Sequence, residues 1–460
     1  MKIFVRNRKE SPLELTQQRN KRLDKSDEPL WEATDFDKQH YQLPYLSEGD
    51  AYAKIDVSKV SNHSRRADIF RNFYSDKLLQ QIWDHYDVSR WACSHHSGIA
   101  TVNHGAFNLS GILILLAVKI RIIAIQNAPR ENKENHRPLR GNLQEALDHF
   151  TEIDPKLSVG RSHLELLLPR FTVPADLLEN LSKNFQSILT SLGRIVCGDE
   201  KLYHFTGESE FIRLIPSKPG HIGFWFYELC VLLGANLVFM IHIKLQTTTK
   251  SDKLSKKKTV MFVRIWMNIM IAFRANLSVL FYDSYYGTNE AREMLREYGI
   301  LYVSACKESN FRNLTDQLWS LGGTVSRAGD TAAMYNQEYG ELFICHMQNN
   351  DKKYSLGNAM VPCRSSRSKA GDIFGWDLYA FNFKHNDIFN RNLHDKSWCH
   401  KVGGRGRAGE EGHIDDYALA VTLQNTFSVF KAINPGIPDV DFLTHATTLA
   451  DEIFVYAMSL

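Results

Sequence analysis

The chain has 460 residues, 43% hydrophobic and 23% charged, with a formal net charge of +3. That length can bury a sizeable core and hold two or three domains, while the near-balanced charge excludes a global field drawing the chain onto nucleic acid, so any DNA contact must come from local basic patches. The seven cysteines (Cys93, Cys197, Cys230, Cys306, Cys345, Cys363 and Cys399) are scattered and never spaced as CxxC, which argues against a disulfide framework or a structural zinc and fits a reducing compartment.

In chain order, Met1-Lys-Ile-Phe-Val-Arg-Asn-Arg-Lys turns polar too soon for a signal peptide. Residues 1–66 are polar and mixed in charge, and the expectation is a solvated, disordered arm. Residues 67–193 carry apolar residues at three- and four-residue spacing, as in Ile69, Phe70, Phe73, Leu78, Leu79, Ile82 and Trp83, and predict a helical domain. The run Ile112 to Val118 is stopped by Lys119 and Arg121, too short to span a membrane. Phe224 to Ile243 is longer, but Glu228, Asn236 and His242 interrupt it. Two strands, Phe224 to Leu233 and Leu237 to Leu245, joined at Gly234-Ala235-Asn236, explain it better than a spanning helix.

The pattern changes at Gly193. Arg194-Ile-Val-Cys-Gly-Asp-Glu is a short apolar run ending in carboxylates, and Leu277-Ser-Val-Leu-Phe-Tyr-Asp is a second. Between them Lys253-Leu-Ser-Lys256-Lys257-Lys258 reads as a basic loop, and Met261 to Ala272 as helix or strand. After the second run, Thr288 or Asn289 can cap a helix Glu290 to Tyr298, which Gly299 can close. Ile300-Leu-Tyr-Val-Ser-Ala-Cys then makes a strand parallel to the one before the helix, a βαβ unit. Residues 307–365 hint at a β-rich insertion, and helical pattern resumes near Asn386 and from Tyr417 to Phe430.

Asp199 and Asp283 thus end two strands that can lie side by side, which would bring both carboxylates to one edge of a sheet. With a third carboxylate they would form the hard-oxygen cage that Mg²⁺ prefers, and two such ions can drive displacement at a phosphate. By position alone, strand-end aspartates are more often ordinary turn residues.

The flanking residues are more specific. Gly198-Asp199-Glu200 through Gly207, followed by Ile215-Pro-Ser-Lys-Pro-Gly-His-Ile-Gly223, resembles the first catalytic motif of piggyBac transposases. Val279-Leu-Phe-Tyr-Asp283-Ser-Tyr-Tyr-Gly-Thr with Leu295 and Gly299 resembles the second. Phe381-Asn382 followed by Asn386-Asp387-Ile-Phe-Asn390 resembles the third, with Trp398 and Asn425 matching family positions downstream. The resemblance spans roughly residues 68–430. It implies an α/β fold with an RNase H-like mixed-sheet catalytic core, an N-terminal helical domain for dimerisation or DNA binding, and a β-rich insertion.

On that pattern the core is 194–306 and 366–434, the insertion 307–365, and 435–460 a C-terminal helix or tail. The resemblance further implies two-metal DNA strand cleavage and transfer with Mg²⁺ or Mn²⁺, transposon ends and target DNA as partners, a homodimer and a nuclear location. Asp199, Asp283 and Asp387 would be the catalytic metal ligands, with Asn390 on the same helix face. Asp377 in Gly375-Trp-Asp377 is the alternative third ligand. The family's cysteine-rich zinc module is not seen after Cys399, which leaves a domesticated DNA-binding protein without catalysis as the alternative function.

Three basic segments lie around these motifs: Lys256, Lys257 and Lys258, then Arg364 and Arg367, then Arg405 and Arg407. Each can neutralise phosphates, although such contacts carry no sequence information. Cys93-Ser-His95-His96 is too small a cluster for a metal site. Tyr285, Tyr286 and Trp225 read as core or base-stacking support. GxxxxGK[ST], GxGxxG and HExxH patterns are absent, which disfavours ATP-driven, dinucleotide and zincin chemistry.

Overall fold

The computed structural model describes residues 32–33, 52–85, 109–127, 139–155, 157, 175–205, 209–216, 221–234, 236–247, 256–275, 278–322, 325–327, 330–348, 350–359, 410–437 and 440–460. Its first elements are β1 (Glu32–Ala33), β2 (Lys54–Ile55), α1 (Arg66–Phe73), α2 (Asp76–His85), α3 (Leu109–Asn127), α4 (Leu139–Ile153), α5 (Leu177–Ser187) and β3 (Leu189–Ser191). The sheet region follows with β4 (Ile195–His204), β5 (Ile212–Leu214), β6 (Ile222–Gly234), β7 (Leu237–Leu245), α6 (Lys256–Ala272), β8 (Val279–Tyr282), α7 (Asn289–Glu297) and β9 (Leu301–Cys306). Then come α8 (Arg312–Ser320), β10 (Thr331–Asn336), β11 (Glu341–Gln348), β12 (Asp351–Gly357), α9 (Glu410–Ile433) and α10 (Phe442–Ser459).

The polar arm ends sooner than its composition implies. β2 pairs antiparallel with β3, and the Ala53 N–H donates to the Leu232 carbonyl at 2.7 Å. A two-residue strand carries too little periodicity to be read from sequence.

Helix α3 shows why the apolar run at Ile112 is no membrane segment. Its residues are buried on all sides, as expected of a helix apolar all round inside a protein. Lys119 is tolerated there because its ammonium donates to Asp415 and lies 3.8 Å from Asp416, both on α9. No helix among the described residues is long and apolar enough to cross a membrane. The C-terminal helix α10 lies against α3 and α4 as part of the helical body. Phe454 stacks on Phe150 at 4.5 Å, Ser110 Oγ donates to the Ala457 carbonyl at 2.6 Å, and Glu452 pairs with Arg66 at 3.2 Å.

The core sheet runs β7-β6-β4-β8-β9, antiparallel across the first two junctions and parallel across the last two. This is the strand arrangement of an RNase H-like core. β6 is almost wholly buried and β7 is buried from Val238 to Ile241 and at Ile243, which explains their near-continuous apolar sequence. The βαβ unit forms as expected. Thr288 caps α7 by accepting from the Ala291 N–H at 3.2 Å, and Gly299 closes it at φ +65°, a conformation costly for a residue with a Cβ.

The β-rich insertion is continuous with the core. β12 pairs antiparallel with β9, so β10, β11 and β12 widen the same sheet and β1 adds to its edge. A buried ion pair secures the extension to the βαβ unit: Arg292 of α7 reaches Glu341 of β11 at 2.6 Å, and the Tyr302 hydroxyl donates to the same carboxylate at 2.7 Å.

Candidate active site

Asp199 lies in the middle of a strand, a correction to the reading that it ends one. β4 continues to His204 because β6 pairs with it along its whole length, from Val196↔Val231 to His204↔Gly223. The parallel ladder on the other side stops earlier, at Gly198↔Tyr282. Asp199 and Asp283 are therefore each one residue past the last bridged pair of neighbouring strands. Such strands run about 4.8 Å apart, and alternation points both side chains to the same face.

The chain holds the two aspartates differently. Asp199 is 5% exposed and braced by β6. Asp283 is half-buried in a turn whose backbone it organises. Its carbonyl accepts from the Tyr286 and Gly287 N–H groups at 3.0 and 3.2 Å, and its Oδ1 accepts from the Ser284 N–H at 2.5 Å. The turn must pass close to β9, since a Cβ on Gly287 would sit 2.6 Å from the Ala305 carbonyl oxygen.

The face carrying Asp199 packs under α9. Glu228, directly across from Asp199, is fully buried and accepts a hydrogen bond from the Tyr417 hydroxyl of α9. Burial and the Glu228 charge raise the Tyr417 hydroxyl far above its ordinary range. One step further, Cys197 and Cys230 face each other. Burial holds the Cys230 thiol well up, reinforced by its bond to Cys197 and the Glu228 and Asp199 charges. The neighbouring strand β7 bulges where pairing jumps from Leu229↔His242 to Cys230↔Met240. Asn425 of α9 satisfies the backbone there, accepting from the Met240 N–H and donating to the Met240 carbonyl, both at 2.8 Å.

The opposite face packs under α6. Gly198 gives Trp266 its place, for a Cβ there would meet the indole at 2.5 Å. Phe262 stacks on Tyr227, the cross-strand partner of Glu200. Glu200 lies at the Tyr286 hydroxyl, which burial and the Glu200 and Asp199 charges raise well above its ordinary value. Tyr285 is half-buried; burial lifts its hydroxyl to about 12, the Glu200 charge adding to this and Arg213 opposing it.

The structure thus brings Asp199 and Asp283 together. Their hard oxygens on a shared face fit part of a Mg²⁺ or Mn²⁺ coordination set. Among the described residues no group of three or more His, Cys, Asp or Glu is arranged to hold a metal. Asp387, its alternative Asp377, and Asn390 lie outside the described residues, as do Arg364, Arg367, Arg405, Arg407, Trp398 and the Cys93–His96 stretch.

Lys256, Lys257 and Lys258 are a correction: they form the first turn of α6 rather than a loop. The apolar period of Phe262, Val263, Trp266 and Met270 starts just after them, and lysine is a good helix former. Basic residues are unfavourable at a helix N-terminus, so start-signal rules point elsewhere. Glu228 and Tyr417 were missed as neighbours of the site. The signal was a lone carboxylate inside an apolar strand, which calls for a buried partner.

Residues 147–372 match the family model described as Transposase IS4. Among solved structures, the chain resembles a piggyBac transposase synaptic complex with hairpin DNA, determined by cryo-EM, at a TM-score of 0.64 and 14% identity over 89% of this chain and 83% of that one. No curated protein matches it. Motif order, family-model match and sheet topology agree: together they support a piggyBac-type transposase, and the fold is that of an RNase H-like core.

Proposed function

We propose that the chain is a DNA transposase that cleaves and rejoins strands with divalent metal ions bound to Asp199, Asp283 and a third carboxylate, Asp387. The observation that carries this reading is the register of β4 and β8, which brings Asp199 and Asp283 to one face just beyond the last bridged pair. Mg²⁺ or Mn²⁺ at this edge would supply charge neutralisation at a phosphate and an activated oxygen nucleophile. The protein's own part is rigid placement: β6 braces Asp199, and the Ser284 N–H fixes one oxygen of Asp283.

Lys256, Lys257 and Lys258 support the DNA reading. They open α6 one turn before Phe262, which packs at the level of Glu200, so the helix begins at the sheet edge that carries the aspartates. Cations at that edge would draw in the DNA backbone. The arginines Arg364, Arg367, Arg405 and Arg407 are proposed as further phosphate contacts, and a homodimer working on nuclear DNA as the acting form.

The test is nicking of supercoiled plasmid by the purified chain with Mg²⁺ or Mn²⁺. Activity should require the metal and fall at least about a hundredfold in Asp199→Asn and Asp283→Asn, since these ligands act as a unit. Salt-sensitive DNA binding without any cleavage would replace this reading with that of a domesticated DNA-binding protein.

A further inference from the structure

We propose that Trp225 and Tyr285, with Arg213 and Glu200 at their rim, form a ledge that binds one unstacked nucleobase of a DNA strand held at the Asp199–Asp283 edge. This rests on the DNA-acting reading above and names a contact that reading does not supply.

The ledge comes from two elements that meet at the edge. Trp225 is on β6, opposite Leu202 and three positions along β4 from Asp199, so by strand alternation it lies at the same sheet edge but on the α6 face, opposite the face that carries the Asp199 and Asp283 side chains. Tyr285 is two residues past Asp283, in the turn its carbonyl organises. The two rings lie 5.7 Å apart at 33°, and Tyr286 meets Tyr285 edge-on at 5.1 Å and 87°, bracing it from behind. Trp225 is 9% exposed, and its indole N–H has no hydrogen-bond partner. The Tyr285 hydroxyl is likewise buried without one. Buried polar groups are rarely left so, and each calls for an explanation. The Trp266 N–H is also unanswered, but that ring is wholly sealed under Gly198. Tyr285 differs because its half-buried ring reaches the surface beside a site argued to hold DNA.

Charge selects the ligand. Arg213 pairs across from Gly223 and Glu200 across from Tyr227, the residues two before and two after Trp225 on its own face of β6, so the rim carries a guanidinium and a carboxylate with no net charge. A phosphate would meet the Glu200 carboxylate at a cost. A nucleobase is neutral, has a flat face for Tyr285, and carries donors and acceptors along its edge for the Trp225 N–H, Arg213 and Glu200. Such a base must be out of the duplex stack, in a single strand or extruded from one.

The full chain is mixed, without divalent metal and at low salt, with a short oligothymidine strand carrying one fluorescent purine analogue that stacking quenches. The wild type should quench it. Tyr285→Leu should lose the quenching and bind roughly tenfold more weakly, whereas Tyr285→Phe, which keeps the ring, should stay within about twofold. Thermal melts check that the variants fold. Independently of any variant, a halogenated-uracil strand irradiated with the wild type should cross-link to Tyr285 or Trp225. Quenching and affinity unchanged in folded Tyr285→Leu, or cross-links only elsewhere, would overturn the ledge while leaving metal-dependent nicking standing. A wild type that neither binds the strand nor nicks plasmid overturns both.

Discussion

The two faces of the β4–β6 pair are covered differently. Under α9, three side chains of the helix find partners in the sheet: Tyr417 on Glu228, Asn425 on the Met240 backbone, and Ser428 on the Val238 carbonyl at 2.7 Å. Under α6, the cover is mainly aromatic: the Tyr227 hydroxyl donates to Gln246, while the Trp225, Trp266 and Tyr285 polar atoms have no partner. Around Glu228 and the β7 bulge, where the bonds are closed internally, the α9 side is scaffold behind the edge that carries Asp199 and Asp283. A face with unmet groups that reaches the surface is where a ligand gains most, because binding recovers a desolvation cost already present in the fold.

The closed face should be the fragile one, and Asn425 tests this most severely. Asn425→Ala strips partners from both backbone groups of Met240 at the β7 bulge, and at about 1–3 kcal/mol for each buried group left unmet the loss should be about 2–6 kcal/mol. The measurement is the urea midpoint at constant m. A loss below about 0.5 kcal/mol would mean that water reaches the bulge and the face is not closed.

Acid should destabilise the fold through two buried histidines. His445 of α10 packs on Phe427 and Phe430 of α9, where burial first, and the Arg66 charge second, hold it at about 3 rather than 6.5. His242 of β7 is held at about 4, chiefly by burial. Between roughly pH 6.5 and these values the unfolded chain binds protons that the fold refuses. Stability therefore falls as pH falls, by up to about 1.4 kcal/mol per pH unit for each histidine. His445→Gln should flatten its share of that slope between roughly pH 6.5 and 4. A slope equal to wild type in that window would show that His445 is protonated inside the fold.

Much of this architecture was legible because it rests on local rules. The βαβ unit was readable from Thr288, Gly299 and two short apolar runs, and the hairpin from Gly234 and its neighbours. Asp199 and Asp283 were found through the motifs around them. Their true relation was not legible, because it depends on register: the β8 ladder stops at Gly198 while the β6 ladder continues to His204. Long-range partners were also hidden. Nothing near Glu228 in sequence announces Tyr417, a separation of 189 residues, and Lys119 looked like the end of an apolar run until Asp415 appeared beside it. The first turn of α6 defeated the end rules because three lysines oppose the helix dipole there, while the apolar stripe behind them dominates.

The finest test of the two faces removes a single oxygen from each. Tyr417→Phe takes away the hydroxyl bonded to Glu228 and leaves a fully buried carboxylate short of a donor, so it should cost about 1.5–3 kcal/mol, the range for bonds to charged groups. Tyr285→Phe takes away a buried hydroxyl that has no partner. No bond is lost, and a desolvated polar atom is removed, so stability should change by less than about 0.5 kcal/mol or rise slightly. The ring of Tyr285 stays against Trp225 and Tyr286 in either case. Equal losses in the two variants would mean that Tyr285 has a bond of its own, and the asymmetry between the faces would disappear. A loss at Tyr417 alone locates the closed bonds on the α9 side.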